Sequence, residues 1–235
     1  MSTETAAKER PILFSGPMLR AILSGAKTQT RRVVKPQLGP NADWVPWEGI
    51  GWKAQGIIAD IPQEFRTGTG LLTCPHGVAG DRLWVRETWR PYSDDDLFDS
   101  IRYAADGAIQ KPQIEDSNIG LRFSEDCDRW GKHGANRSPI HMPRWASRIT
   151  LEITDVRVER VQDISEADAA AEGVGRIELS PAPLLGEHNG IKMYGHPATS
   201  THEHAFRVLW DTINEKRGFG WDVNPWVFAL TFKRV

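Results

Sequence analysis

The stretch from Trp145 to Val161 alternates apolar and polar residues more regularly than any other part of the chain. Ile149, Leu151 and Ile153 interleave with Thr150, Glu152 and Thr154; Val156, Val158 and Arg160 then interleave with Arg157, Glu159 and Val161. A period of two held over this length is a half-buried β region, either two strands or one long bent strand. Such a sheet needs a cover on its apolar face, and helical signals lie on both sides of it. Asp163-Ile164-Ser165-Glu166 opens a helix, with Asp163 or Ser165 as cap, that runs to Glu172 and stops at Gly173. Residues 204–214 read as an amphipathic helix with Phe206, Leu209, Trp210 and Ile213 on one face. Upstream, Pro17 suits a first helical turn, Gly25 suits the stop, and Arg32-Val33-Val34 follows as a strand. The segment 226–232 is apolar on both faces and is expected to be a central strand. Short strands outnumber helices, which predicts an α+β fold with a curled sheet or small barrel.

At 235 residues the chain suits one domain with insertions, at about 38–79 and 90–143, behind a polar leader at 1–10 that is expected to be disordered. The first insertion has room for a short hairpin, and 174–200 reads as a loop. A hydrophobic share of 40% supports a sizeable core, and 26% charge supports a soluble surface. The leader lacks the apolar stretch of a secretory signal, and no run approaches the roughly 20 apolar residues that span a bilayer. A cytoplasmic location follows, with Cys74 and Cys127 reduced. The net charge of -2 argues against non-specific coating of nucleic acid, while leaving room for a local basic groove. Cys74, His76, Cys127, His133 and His141 lack the usual spacing of a zinc site, so neither metal nor cofactor is expected. The oligomeric state is not readable.

Chemistry concentrates in Gly25-Ala26-Lys27-Thr28-Gln29-Thr30-Arg31-Arg32, where an amine, two hydroxyls and two guanidiniums follow a helix stop. Corners between rigid elements present side chains to clefts. A second candidate is the strand 82–89 after the Gly80-Asp81 turn. If Leu83 and Val85 face the core, Glu87 and Trp89 follow on the same side. An interior carboxylate needs a partner or a role, unless the strand has already reached solvent there. The ten tryptophans are mostly core, with a few available as platforms for a nucleobase.

Several patches together resemble the ASCH family of the PUA-like superfamily: residues 25–32, 80–89, the β region from Trp145, and Ile164 to Gly173. The C-terminal helix and strand fit as well. The resemblance covers about half the chain and omits the insertions, and the chain looks like the longer, tryptophan-rich form often carried by phages and prophages. It implies a small β-barrel flanked by helices. Smaller members are amidohydrolases that remove acyl groups from the exocyclic nitrogen of N4-acylcytidines. The resemblance maps their active lysine, threonine and glutamate onto Lys27, Thr30 and Glu172. Arg32 falls where those members also carry an arginine, and Arg31, Arg32, Glu87 and Trp89 are the expected substrate contacts. The expected partner is a modified nucleoside, with RNA as a further one. The alternative from a different class is a non-catalytic module for RNA or a modified base, in which Arg31, Arg32, Lys35 and Arg86 contact phosphate; behind it stands a ribonuclease.

Two chemical routes are open. Thr30 acts as nucleophile with Lys27 as base, or Lys27 and Glu172 activate water while Thr30 bonds the acyl oxygen. Either needs a neutral amine, which burial beside Arg31 or Arg32 favours. Either also needs Lys27 outside the strand, because residues 27 and 30 of a regular strand face opposite ways.

Overall fold

A computed structural model describes residues 7–47, 51–66, 70–92, 100–111, 135–176 and 200–235, and the backbone of 178–180, 184–188, 191–194 and 198–199. The described residues form a mixed α+β protein with several sheets and few helices. In chain order the strands are β1 (Glu9–Leu13), β2 (Gln29–Val33), β3 (Ala42–Trp47), β4 (Gly51–Gly56), β5 (Arg82–Arg86), β6 (Trp89–Tyr92), β7 (Ser100–Tyr103), β8 (Ile109–Gln110), β9 (Thr150–Arg160), β10 (Glu178–Ser180), β11 (Leu184–His188), β12 (Ile191–Tyr194), β13 (Ala198–Thr199) and β14 (Trp226–Arg234). The helices are α1 (Gly16–Leu23), α2 (Gln63–Arg66), α3 (Glu166–Ala171) and α4 (His202–Asn214). The contacts divide the chain into two compact units: Met1–Gly25, Pro75–Asp155 and Phe232–Val235, and Ala26–Cys74 with Val156–Thr231.

In the first unit β1 runs parallel to β5, from Glu9 opposite Arg82 to Leu13 opposite Arg86. The end of the expected leader is therefore strand. β1 lies at the sheet edge, where Pro11 removes no needed donor. Asp81 fastens this entry, accepting hydrogen bonds from Lys8 N, Val78 N and Arg10 Nη1. β5 pairs antiparallel with the first residues of β9. The alternation read from the sequence holds there: Leu83, Val85, Ile149, Leu151 and Ile153 are all buried. A second sheet, β6–β7–β8, buries Trp89, Ile101 and Tyr103 against Met142 and Ala146.

In the second unit β14 lies between β9 and β2, with Val227 opposite Val33 and Leu230 opposite Thr30. The β region after Trp145 is thus one eleven-residue strand, and the C-terminal strand is interior, as its two apolar faces require. Val227 packs with Val161, Ile164, Phe206, Trp210 and Trp221 in a core that α3 and α4 cover. Ser165 caps α3 by accepting from Asp168 N, and Thr201 caps α4 by accepting from His204 N. The apolar stripe of α4 is narrower than its sequence pattern: Phe206 and Trp210 are buried, but Ile213 is exposed and Asn214 takes the inner position with its amide on Trp210 O. The first insertion contains the β3–β4 hairpin. The stretch read as a loop after 174 holds two short ladders, β10–β13 and β11–β12.

Candidate active site

The second unit gathers the chemistry of the Gly25–Arg32 run. α1 ends at Ser24, and Gly25 takes a left-handed turn, φ 79°, with nothing within 4 Å of where a Cβ would sit. Lys27 lies outside β2 and forms an isolated antiparallel bridge with Glu172; Thr28 N donates to Ala171 O at 2.8 Å. Glu172 is itself positioned by a helix stop, as the cap residue that follows α3 and precedes Gly173 at φ 77°. Two helix ends, each closed by a glycine, set the pair.

Lys27 Nζ donates to Glu172 Oε2 at 2.7 Å and to the Glu172 carbonyl at 2.9 Å. The two side chains are 0% and 4% exposed. The other carboxylate oxygen, Oε1, accepts from Arg31 Nη1 at 3.2 Å. Arg31 is also fully buried, and the rest of its fork goes to protein groups. Nε and Nη2 donate to Glu159 Oε1, Nη2 to Asp168 Oδ2, and Nη1 to Gln29 Oε1. Gln29 returns a hydrogen bond to Asp168 Oδ1 at 2.8 Å, and Arg157 closes the group on Asp168 Oδ2. The Arg31 guanidinium lies 5.8 Å from the centre of the Phe206 ring.

Burial is the largest influence on Lys27 and lowers its pKa, because an ammonium loses more hydration than an amine. Glu172 opposes this, while the charges of Arg32 and Arg31 reinforce it. Since Arg31 shares the Glu172 carboxylate, the amine does not hold that negative charge alone.

Thr30 is buried within β2, and its side chain makes no hydrogen bond to a described residue. Strand parity places it with Arg32, on the face away from Gln29 and Arg31. The register partners of Thr30 and Arg32 are Leu230 and Phe228, and Trp52 of the hairpin stands edge-on to Phe228 with ring centres 5.7 Å apart. Arg32 is half-buried, and burial lowers its pKa, with Glu172 opposing and Arg217 adding to the effect.

Of the expected residues, Lys27, Glu172 and Arg31 meet directly. Arg31 does so as a brace on the carboxylate, with no exposed surface for a ligand. Thr30 and Arg32 occupy the opposite face of the same strand. Glu87 and Trp89 belong to the first unit. Glu87 is buried as its parity implied, and its role there is an ion pair: both oxygens accept from Arg148, at 2.8 and 2.9 Å, and Arg148 also holds Asp106. Trp89 is 0% exposed, edge-on to Trp145, so no base can stack on it. Cys127, His133 and Trp130 lie outside the described residues.

Sequence reasoning passed over Gln29, Glu159, Asp168 and Trp52. Signals for two of them were present. Gln29 shares the parity of Arg31, and Asp168 lies one helical turn before Glu172, on the same face. Glu159 and Trp52 carried no local signal. Set against protein-family profiles, curated proteins and solved structures, the chain matches none of them.

Proposed function

We propose that the chain is an amidohydrolase of the ASCH type, on a PUA-like fold, that removes the acyl group from the exocyclic nitrogen of N4-acylated cytosine nucleosides. The observation that carries this is the buried Lys27–Glu172 contact of 2.7 Å with the carboxylate shared by Arg31. A lysine held in a dry site with its pKa lowered is a base in waiting.

The contacts favour the water route over the threonine nucleophile, because Lys27 reaches Glu172 and not the Thr30 hydroxyl. As the water oxygen attacks the acyl carbon, its proton passes to the neutral Lys27 amine. The tetrahedral oxyanion is met by the Thr30 hydroxyl. A proton from the Lys27 ammonium then reaches the departing nitrogen through Glu172. The C–N bond breaks, and cytidine and a carboxylic acid leave.

Purified protein mixed with N4-acetylcytidine should release cytidine, and Lys27→Ala and Glu172→Gln should abolish the release. Thr30→Ala should retain slow turnover, down by about 100- to 1000-fold, the effect of losing one oxyanion donor. Normal turnover in Lys27→Ala overturns the proposal; complete loss in Thr30→Ala restores the threonine as nucleophile.

A further inference from the structure

Beyond Arg32 the same strand leads into cations that have no acidic partner among the described residues. Lys35 follows β2, exposed, with its ammonium 5.6 Å from the centre of the Phe219 ring. Phe219 follows the short turn Glu215–Arg217 at the end of α4, and its amide is bonded to Asn214 O. Lys216 and Arg217 of that turn are exposed and form no ion pair with a described residue. Glu215 is the one carboxylate in the turn, and it too is exposed without an ion pair to a described residue. Elsewhere in this unit Arg31, Arg157, Arg176 and Arg207 each meet a carboxylate. The cluster at the end of β2 is therefore a net positive rim. Arg32 in β2 and Lys35 just past its end, over the Phe219 ring, run from the candidate site to this rim.

Direction matters as well as charge. A strand rises about 3.3 Å per residue, so Arg32 lies roughly 7 Å along β2 from Thr30, and Lys35 follows just past the strand's end. A nucleoside with its acylated amine at Lys27 and Thr30, and its sugar pointing along β2, brings a sugar phosphate to this rim. A single anionic acyl group needs one cation; several grouped at a strand end suit phosphate, for which arginine is the preferred donor.

We propose that the substrate of the Lys27–Glu172 site carries phosphate on its sugar, held by Arg32, Lys35 and Arg217. This inference rests on the hydrolase reading above for the acylated base, and stands on the rim for the phosphate.

The test compares three substrates at low salt: N4-acetylcytidine, its 5′-monophosphate, and a short RNA with one N4-acetylcytidine. The expected kcat/KM for the monophosphate exceeds that for the nucleoside by about 10-fold, one charge-assisted contact. That ratio should fall towards one in the Lys35→Gln/Arg217→Gln double variant, with melting by circular dichroism confirming that the variant folds. Equal rates on nucleoside and monophosphate, or a ratio untouched in the double variant, overturn the inference. A further gain on RNA assigns the phosphate to a strand; no gain assigns it to a free nucleotide. Calorimetry with CMP and cytidine separates the two layers. CMP binding that the double variant loses, without turnover of any substrate, removes the hydrolase and keeps the phosphate site. Equal binding of CMP and cytidine, with turnover intact, removes the phosphate site alone.

Discussion

Arg31 is the residue on which the site's electrostatics turn. Its fork reaches Glu159, Asp168 and Glu172 together, and its side chain has no solvent exposure. Deleting one partner of a buried ionic group strands the others, at a cost of about 3–5 kcal/mol. Arg31→Met should lose about that much in a urea titration, far more than Arg207→Met, whose pair with Asp222 is exposed. Arg31→Lys keeps a charge but not the fork, and its effect should appear in the pH profile. With its brace gone, Glu172 acts on Lys27 alone, and the nearby positive charge is weakened; both changes raise the Lys27 pKa. The limb where activity rises with pH, as Lys27 loses its proton, should move to higher pH in Arg31→Lys. A limb that stays in place would show that Lys27 is not the titrating base.

At the scale of elements, helix ends organise the second unit. The first residue of α3, Glu166, serves the first turn of α4: its carboxylate accepts from His202 N and Glu203 N and meets His202 Nδ1 at 2.9 Å. These donors, led by the His202 amide, lower its pKa to about 2 from an ordinary 4.5. A depressed carboxylate stabilises the fold above its unfolded value, and that contribution is lost as pH falls. The urea midpoint of the wild type should therefore fall between about pH 4.5 and 2 more steeply than that of Glu166→Gln. Identical slopes would remove this link. Gly25→Ala tests the other end: at φ 79° with open space around the Cβ position, it should cost about 1 kcal/mol from backbone strain alone. Helix ends of this kind were legible in the sequence, because caps and stops are local chemistry: Pro17, Gly25, Ser165 and Gly173 all act where they were read. What escaped depends on distant partners. The start of β1 looked like leader because Glu9-Arg10 is polar and becomes strand only when β5 lies beside it. Ile213 fitted the apolar stripe of α4 by spacing, yet the covered arc is too narrow to include it. Parity left Glu87 either inside or at a strand end already in solvent; it is buried, and its partner Arg148 stands 61 positions away, where nothing local names it.

At the scale of the molecule, each unit carries its own buried ionic system, and Glu87 responds to pH with the opposite sign to the carboxylates whose pKa is lowered. In the second, Asp168 is lowered below its ordinary value although burial opposes it, through Gln29 and Arg157. Glu166 is lowered too, and so are three carboxylates of the first unit: Glu9 through Arg144, Asp106 through Arg148, and Asp81 against its burial. All of these stabilise the fold at neutral pH and release that stability on acidification. Glu87 runs the other way. Burial raises its pKa despite Arg148, so its contribution is fullest below the ordinary glutamate value and declines as pH rises through the raised one. Above pH 4.5 it therefore offsets part of the acid loss. Glu87→Gln removes this counterweight and leaves Arg148 paired with Asp106. Unfolding free energy measured in urea from pH 4.5 to 6.5 should climb more steeply with pH in Glu87→Gln than in the wild type. A slope that is equal or shallower would mean that Glu87 is held in the charged form by Arg148 strongly enough to cancel the effect of burial.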